Sequence, residues 1–157
     1  MLRILKRYTM PLKRTPTSNN TYLGDIVPGY DLIFSSYPGT LQSIDDFYMT
    51  RPANLTILET TLDIYNDDLY RNLQVTSVPE WIRVIIANRL ANSGREWVDK
   101  FFMYNDGTYN NEWMLIDMKQ FTRGQQPKPG LYIDNSAIRL YSIFLFCFSI
   151  SKIFNSS

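Results

Sequence analysis

The chain has 157 residues, enough for one domain with a hydrophobic core, and its apolar share of 45% and aromatic share of 15% exclude a disordered chain. The net charge is only +1, and no segment interleaves basic and aromatic side chains as nucleic-acid binders do, so we expect no nucleic-acid partner. Histidine is absent, which excludes a Ser-His-Asp triad and any histidine metal site within this chain, and we expect no metal or other cofactor.

The first twenty residues combine five basic side chains with Ser and Thr and contain no acid, a composition typical of a mitochondrial presequence. A second interpretation makes them an interior segment of a longer protein, with Met1 an internal methionine. No apolar run long enough for a secretory signal follows the basic residues, so we expect no signal peptide in this chain. Residues 15–20 are rich in Pro, Ser, Thr and Asn and are predicted to form a loop.

Three strands are predicted in the first half of the chain. Residues 31–36 form a short apolar strand that ends at a Pro-Gly turn. Residues 43–50 are rich in aromatic and other side chains that favour strands. Residues 51–54 then turn the chain back into an alternating strand over residues 55–62, which predicts a hairpin.

Acidic side chains in these strands invite a catalytic interpretation. Asp45 and Asp46 are adjacent, and adjacent residues of a strand point to opposite faces, so the two carboxylates cannot converge on one substrate atom. We therefore assign both to solvent or to a turn. Glu59 lies among apolar neighbours and is either buried against Arg89 or exposed.

Two helices are predicted after a polar, loop-like segment over residues 66–77. Capping-box patterns at Ser77-x-x-Glu80 and Ser93-x-x-Glu96 start helices over residues 80–91 and 94–104. Such consecutive helices should form a hairpin on one face of the sheet. Each carries an apolar stripe assigned to the core: Ile82, Ile85, Ile86 and Leu90 in the first helix, and Trp97, Val98, Phe101 and Phe102 in the second.

A polar turn with several amide side chains follows the second helix. Asn105-Asp106-Gly107 ends that helix, because Gly107 accepts a left-handed backbone, and the chain then enters an alternating strand over residues 112–118. One interpretation is a plain connection whose Asn side chains satisfy local backbone groups. The other is a functional one, in which Asn110 or Asn111 donates an amide N–H to a developing oxyanion.

Several blocks of the chain carry a family resemblance. They are Phe34-Ser-Ser-Tyr-Pro-Gly-Thr40 with Ser43-Ile-Asp-Asp-Phe-Tyr48, Leu58-Glu-Thr-Thr61, Glu80-Trp-Ile-Arg83 with Ala87-Asn-Arg-Leu-Ala91, and Ser93-Gly-Arg-Glu-Trp-Val-Asp99 through Tyr104-Asn-Asp-Gly-Thr-Tyr-Asn-Asn-Glu-Trp-Met114. Together they resemble the phospholipase B-like family, also called the laminin-ancestor family. The resemblance runs in order and without long gaps from about residue 1 to about residue 121, which favours the interior-segment interpretation of the first residues.

The resemblance implies an α+β fold, a partial αββα sandwich of the N-terminal-nucleophile hydrolases in which helices pack on an antiparallel sheet. It implies a hydrolase that removes fatty acyl groups from phospholipids in a lysosomal or extracellular location. The nucleophilic cysteine of the family would lie upstream of Met1, in a segment of the same precursor, so this chain alone should be inactive. Asn110 or Asn111 is then the oxyanion-hole residue, and Cys147, which lies outside the resemblance, is no substitute for the nucleophile.

Three sections of chain follow from this interpretation. Residues 1–123 form the partial family domain, residues 124–133 form a Gly, Gln and Pro-rich linker, and residues 134–157 form a divergent apolar tail. The apolar run over residues 140–150 is shorter than the roughly 20 residues of a membrane-spanning helix, so we expect no transmembrane span.

Two further questions stay open from the sequence. Asn-x-Ser/Thr sequons at Asn19, Asn54 and Asn155 permit glycosylation on a secretory route. The alternative to an enzyme is a non-catalytic binding or structural domain that kept the hydrolase scaffold. A cysteine that follows a cleavable peptide bond upstream would favour the enzyme.

Overall fold

The computed structural model describes residues 4–15, 25–42, 47–63, 65–72, 75–105, 107 and 110–134. The predictions for Asp45 and Asp46, for most of the loop at residues 15–20 and for the apolar tail beyond residue 134 lie outside these residues.

A six-stranded antiparallel sheet, with its strands side by side in chain order, is the main layer of the fold. Its strands are β1 (Ile4–Thr9), β2 (Asp31–Ser36), β3 (Phe47–Arg51), β4 (Leu55–Thr60), β5 (Glu112–Asp117) and β6 (Tyr132–Asp134). The four predicted strands are present as β2 to β5, and the α+β class is confirmed. The two outer strands were not predicted, and β6 includes Tyr132 and Ile133 at the end of the predicted linker.

A charged contact joins β1 to β2. The Arg7 guanidinium donates to both carboxylate oxygens of Asp31, at 2.9 and 2.6 Å, and the Thr9 hydroxyl donates to one of them at 3.3 Å. Asp31 is buried, although Arg7 is exposed. The hydrogen bond and charge of Arg7 favour the ionised carboxylate, which lowers the pKa of Asp31 from its ordinary value despite its burial.

Replacing Asp31 with Asn should lower the free energy of unfolding at neutral pH and make that free energy less sensitive to acid. A carboxylate with a lowered pKa in the folded state stabilises fully above its unfolded pKa, about 4, and this contribution is lost as pH falls through the folded pKa. Urea unfolding from pH 6 to pH 2 measures the effect. Equal pH slopes for the wild type and Asp31→Asn below about pH 4 would contradict it.

Two helices, α1 (Glu80–Leu90) and α2 (Gly94–Phe102), contact each other and lie on one face of the sheet, as predicted. The predicted capping box at Ser93 is present with a shift: the Ser93 hydroxyl accepts from the Glu96 N–H, but the Glu96 carboxylate accepts from Asn92 instead of Ser93. A short 3-10 helix (Asp67–Asn72) also interrupts the segment predicted as loop.

The predicted capping box at the start of α1 is wrong. The N-cap is Pro79, and no side chain caps the helix. Ser77 lies two residues before that cap, so its hydroxyl is not at the position from which an N-cap side chain bonds the first turn. The Pro79 carbonyl instead accepts from the N–H groups of Ile82 and Arg83.

The buried face of α1 also differs from the predicted stripe. Ile86 is 40% exposed, and Ile82, Ile85 and Leu90 are only partly buried. The face that enters the core is partly polar, because its charged and amide groups bond to backbone carbonyls and side chains of other elements. Its buried residues are Glu80, Arg83, Val84, Ala87, Asn88 and Arg89.

The stripe of α2 forms the centre of the core as predicted. Trp97 and Phe101 are fully buried and stack at 4.9 Å, and both contact Trp113 of β5 at 5.3 to 5.4 Å between ring centroids. The indole N–H of Trp97 donates to the Asn88 side chain of α1 at 2.7 Å. The aromatic cluster and this hydrogen bond thereby join both helices and β5.

Candidate active site

The loop between α2 and β5 makes sharp left-handed turns. Tyr104 has φ of 57°, Gly107 of 85° and Asn111 of 49°. The Asn105 side-chain oxygen accepts from the Gly107 N–H at 2.8 Å, so the predicted turn at Asn105 and Gly107 is present. The last of these turns lies directly before β5, where it places both candidate amides at the mouth of the sheet.

Asn110 is partly buried, and its backbone and side chain are both anchored. Its main-chain carbonyl accepts from the indole N–H of Trp113 at 3.0 Å. Its side-chain oxygen accepts from Nη2 of Arg83 at 3.2 Å. Among the described residues, the Asn110 amide nitrogen has no hydrogen-bond partner.

Asn111 has different surroundings, although it is the next residue. It is only 8% exposed, and neither polar atom of its carboxamide has a partner among the described residues. Leaving a buried amide group without a hydrogen bond costs about 1–3 kcal/mol. Its positive φ is a conformation that Asn tolerates better than most residues. Asn110 thus has an amide held by Arg83, and Asn111 has a buried amide without a partner among the described residues on a left-handed backbone.

Arg83 was missed as a site residue in the sequence, where it was assigned only to a helix. Its side chain is almost completely buried on the core face of α1, and its guanidinium carbon lies 4.5 Å from the ring centroid of Phe101. The sequence did contain a signal for its burial. Arg83 is one helical turn after Glu80 and one before Ala87, so the three share one face of the helix, and this face carries small side chains beside a cation. Such a cation needs acceptors from other elements.

An open cleft of about 720 Å³ lies elsewhere, between the start of the chain and the helix hairpin. Charged side chains line it, among them Arg14, Asp25, Glu96 and Lys100. Neither Asn110 nor Asn111 lines this cleft, so it does not mark the predicted site.

The described residues contain no group of three or more His, Cys, Asp or Glu side chains that could hold a metal ion. Every helix in that part of the chain is too short or too polar to cross a bilayer. Chemically, the arrangement around Asn110 can present an amide N–H donor at a fixed position to an oxygen that gains negative charge.

Comparison with known proteins adds a family to this geometry. A sequence model of the family described as Phospholipase B matches residues 1–134. Phospholipase B-like 2 of Bos taurus is 46% identical over 131 residues, which are 83% of this chain and 21% of the relative. The human protein of that name is 44% identical over 131 residues, and phospholipase B-like protein F of Dictyostelium discoideum is 42% identical over 130 residues. Both alignments cover 83% of this chain and 21% of the relative. The chain thus spans about a fifth of the length of these relatives.

Proposed function

This chain belongs to the phospholipase B family, and on that premise we propose that it is part of a hydrolase that removes fatty acyl groups from phospholipids. The family supports the substrate class, since its relatives are named for phospholipid cleavage. The observation that carries the reaction type is the carboxamide of Asn110. Its oxygen accepts a hydrogen bond from Arg83, and we propose that its nitrogen donates to the substrate.

In the proposed reaction, a nucleophile attacks the acyl carbonyl of the lipid, and the carbonyl oxygen becomes an oxyanion. Nδ2 of Asn110 donates a hydrogen bond to that oxygen, which stabilises the transition state more than the bound substrate. We propose that the nucleophile is a cysteine exposed by self-cleavage and that its own α-amino group acts as the base. The tetrahedral intermediate then breaks its ester C–O bond, and the lysophospholipid leaves as an alcohol that takes the proton from the α-ammonium group. Water attacks the resulting thioester, which releases the fatty acid and restores the thiol. This cysteine would come from a segment before residue 1, and we call the longer chain that contains both parts the precursor.

The proposed fold of the precursor is an αββα sandwich of the N-terminal-nucleophile type. The sheet face away from the helices supports it, because its apolar side chains are only partly buried although they form neighbouring rows across the strands. A second sheet from the rest of the precursor would cover them, and the relatives are about five times as long as the matched region. These side chains include Ile33, Phe47, Met49, Leu58, Met114 and Ile116.

We also propose a lysosomal or extracellular location with glycosylation. The sequon residue Asn54 supports it, because it is exposed in the turn between β3 and β4. The sequons at Asn19 and Asn155 lie outside the described residues.

Release of free fatty acid from phosphatidylcholine vesicles by the purified precursor tests the proposed function. We expect turnover that stops when the upstream cysteine is replaced by Ala. A precursor that is folded and binds the vesicles, yet releases no fatty acid, would instead support the alternative of a non-catalytic domain on the same scaffold.

A further inference from the structure

We propose that Arg83 is a positioning residue for acyl transfer, which holds the Asn110 carboxamide with its nitrogen directed at the acyl oxygen. This inference rests on the proposed function and adds a residue that does not itself touch the substrate.

The position of Arg83 is fixed from three sides. Nε donates to the Val78 carbonyl at 3.0 Å, Nη1 to the Phe101 carbonyl at 2.7 Å and Nη2 to the Asn110 side-chain oxygen at 3.2 Å. Two of these acceptors are backbone groups near the start of α1 and the end of α2. These ends are also joined directly, since the Val78 N–H donates to the Tyr104 carbonyl at 2.8 Å. The planar guanidinium therefore reaches Asn110 from a rigid base.

The bond to Arg83 decides which way the carboxamide of Asn110 faces. A side-chain amide has nearly the same shape when its oxygen and nitrogen are exchanged, so only its hydrogen-bond partners select one orientation. Guanidinium nitrogens are donors only, and a rotated Asn110 would place its NH₂ group against Nη2 of Arg83. That arrangement sets two donors against each other. Arg83 thus selects the orientation in which Nδ2 faces away from the helix.

A second buried arginine on the same helix shows what a purely structural role looks like. Arg89 is 7% exposed, and its Nη1 donates to the Gly29 and Tyr30 carbonyls at 2.8 and 3.0 Å. It ties α1 to the residues before β2 and makes no contact with Asn110. Arg83 and Arg89 are therefore a matched pair: both are buried cations of α1 that bind carbonyls, and only one holds the candidate amide.

The test compares Arg83→Lys with Arg89→Lys in the precursor. Lysine keeps the charge, but one ammonium group cannot reproduce the three-way fork of Arg83. Arg83 would act only through the group that it orients, as do the residues that orient metal ligands, whose loss costs about 10–100-fold in activity. We expect a kcat loss of similar size in Arg83→Lys, with KM for phosphatidylcholine nearly unchanged. Arg89→Lys should lower the melting temperature without this loss of kcat. Arg83→Lys combined with Asn110→Ala should be no slower than Asn110→Ala alone.

The outcomes separate this inference from the proposed function. If Asn110→Ala loses kcat while Arg83→Lys keeps it, Arg83 is only structural and the proposed function stands. If the wild-type precursor releases no fatty acid, the proposed function fails and this inference with it. Should Arg83→Lys not fold, a crystal structure of the wild-type precursor with a long-chain fatty aldehyde decides. We expect Oδ1 of Asn110 on Arg83 and Nδ2 on the tetrahedral oxygen, and a broken Arg83 contact would overturn the inference.

Discussion

Replacing Asn110 with Asp in the precursor should lower kcat for phospholipid deacylation by about 10²–10³-fold, the loss typical of removing one oxyanion donor. Aspartate has nearly the shape of asparagine, and its carboxylate still accepts from Arg83, so the loop and the fold should be retained. It has no N–H to donate, and its negative charge opposes the charge that develops on the acyl oxygen. The kinetics of fatty acid release and the melting temperature of both proteins measure the two effects.

Asn105 gives a matched control for this substitution. It lies in the same loop, and its side-chain oxygen also accepts a hydrogen bond, here from the Gly107 N–H at 2.8 Å. Asn105→Asp makes the same chemical change and keeps that bond, so kcat should stay within a few-fold of wild type. Equal losses in Asn105→Asp and Asn110→Asp would show that the loop responds to added charge and has no specific donor.

Asn111→Gly decides between the two candidate amides. Glycine adopts the φ of 49° without the clash that a Cβ causes, so the turn before β5 should persist. A large loss of kcat in Asn111→Gly, together with normal kcat in Asn110→Asp, would move the oxyanion donor to Asn111. Normal kcat in both variants would make the amide-rich loop a simple turn, and the proposed site would be wrong.

The polypeptide of residues 1–157, purified alone, should release no fatty acid from phosphatidylcholine vesicles, whereas the precursor should. These residues contain no histidine to activate a serine, and their single cysteine, Cys147, is not at an amino terminus. Fatty acid release should be absent from the short chain, not merely slower than that of the precursor, because no covalent intermediate forms without the nucleophile. Circular dichroism of the short chain is the control for folding. Turnover by a folded short chain, at a rate that persists in Cys147→Ala, would contradict the proposed role of the upstream cysteine.

The sequence was most informative where local pattern alone decides structure. The boundaries of β2 were predicted to the residue, since its apolar run ends at a turn, and Ser93 begins α2 with the predicted side-chain cap. The outer strand β1 was missed because its basic side chains suggested a targeting segment. Along this outer strand the partly buried residues Ile4, Lys6 and Tyr8 alternate with exposed ones, so one side of each pleat faces water.

The core face of α1 could not be predicted for a different reason. Apolar side chains occur on more than one face of this helix, so periodicity alone does not select the buried one. The face that is buried carries Arg83 and Asn88, whose partners come from Phe101, Trp97 and Asn110. Those partners are 9 to 27 residues away along the chain, and only the packed helix hairpin brings them together. The contact between Arg83 and Asn110 could not be predicted for the same reason, because it depends on how the helices pack.

The measurement that tests the central claim most directly is inhibition of the precursor by a long-chain fatty aldehyde. Addition of the nucleophile to the aldehyde carbonyl gives a tetrahedral oxygen like that of the transition state. We compare the wild type with Arg83→Lys, Asn110→Ala and Asn110→Asp. If Asn110 donates to that oxygen and Arg83 orients Asn110, each variant should raise the inhibition constant by about the factor by which it lowers kcat/KM. An inhibition constant that stays the same in all four proteins would contradict the claim that this loop stabilises the oxyanion.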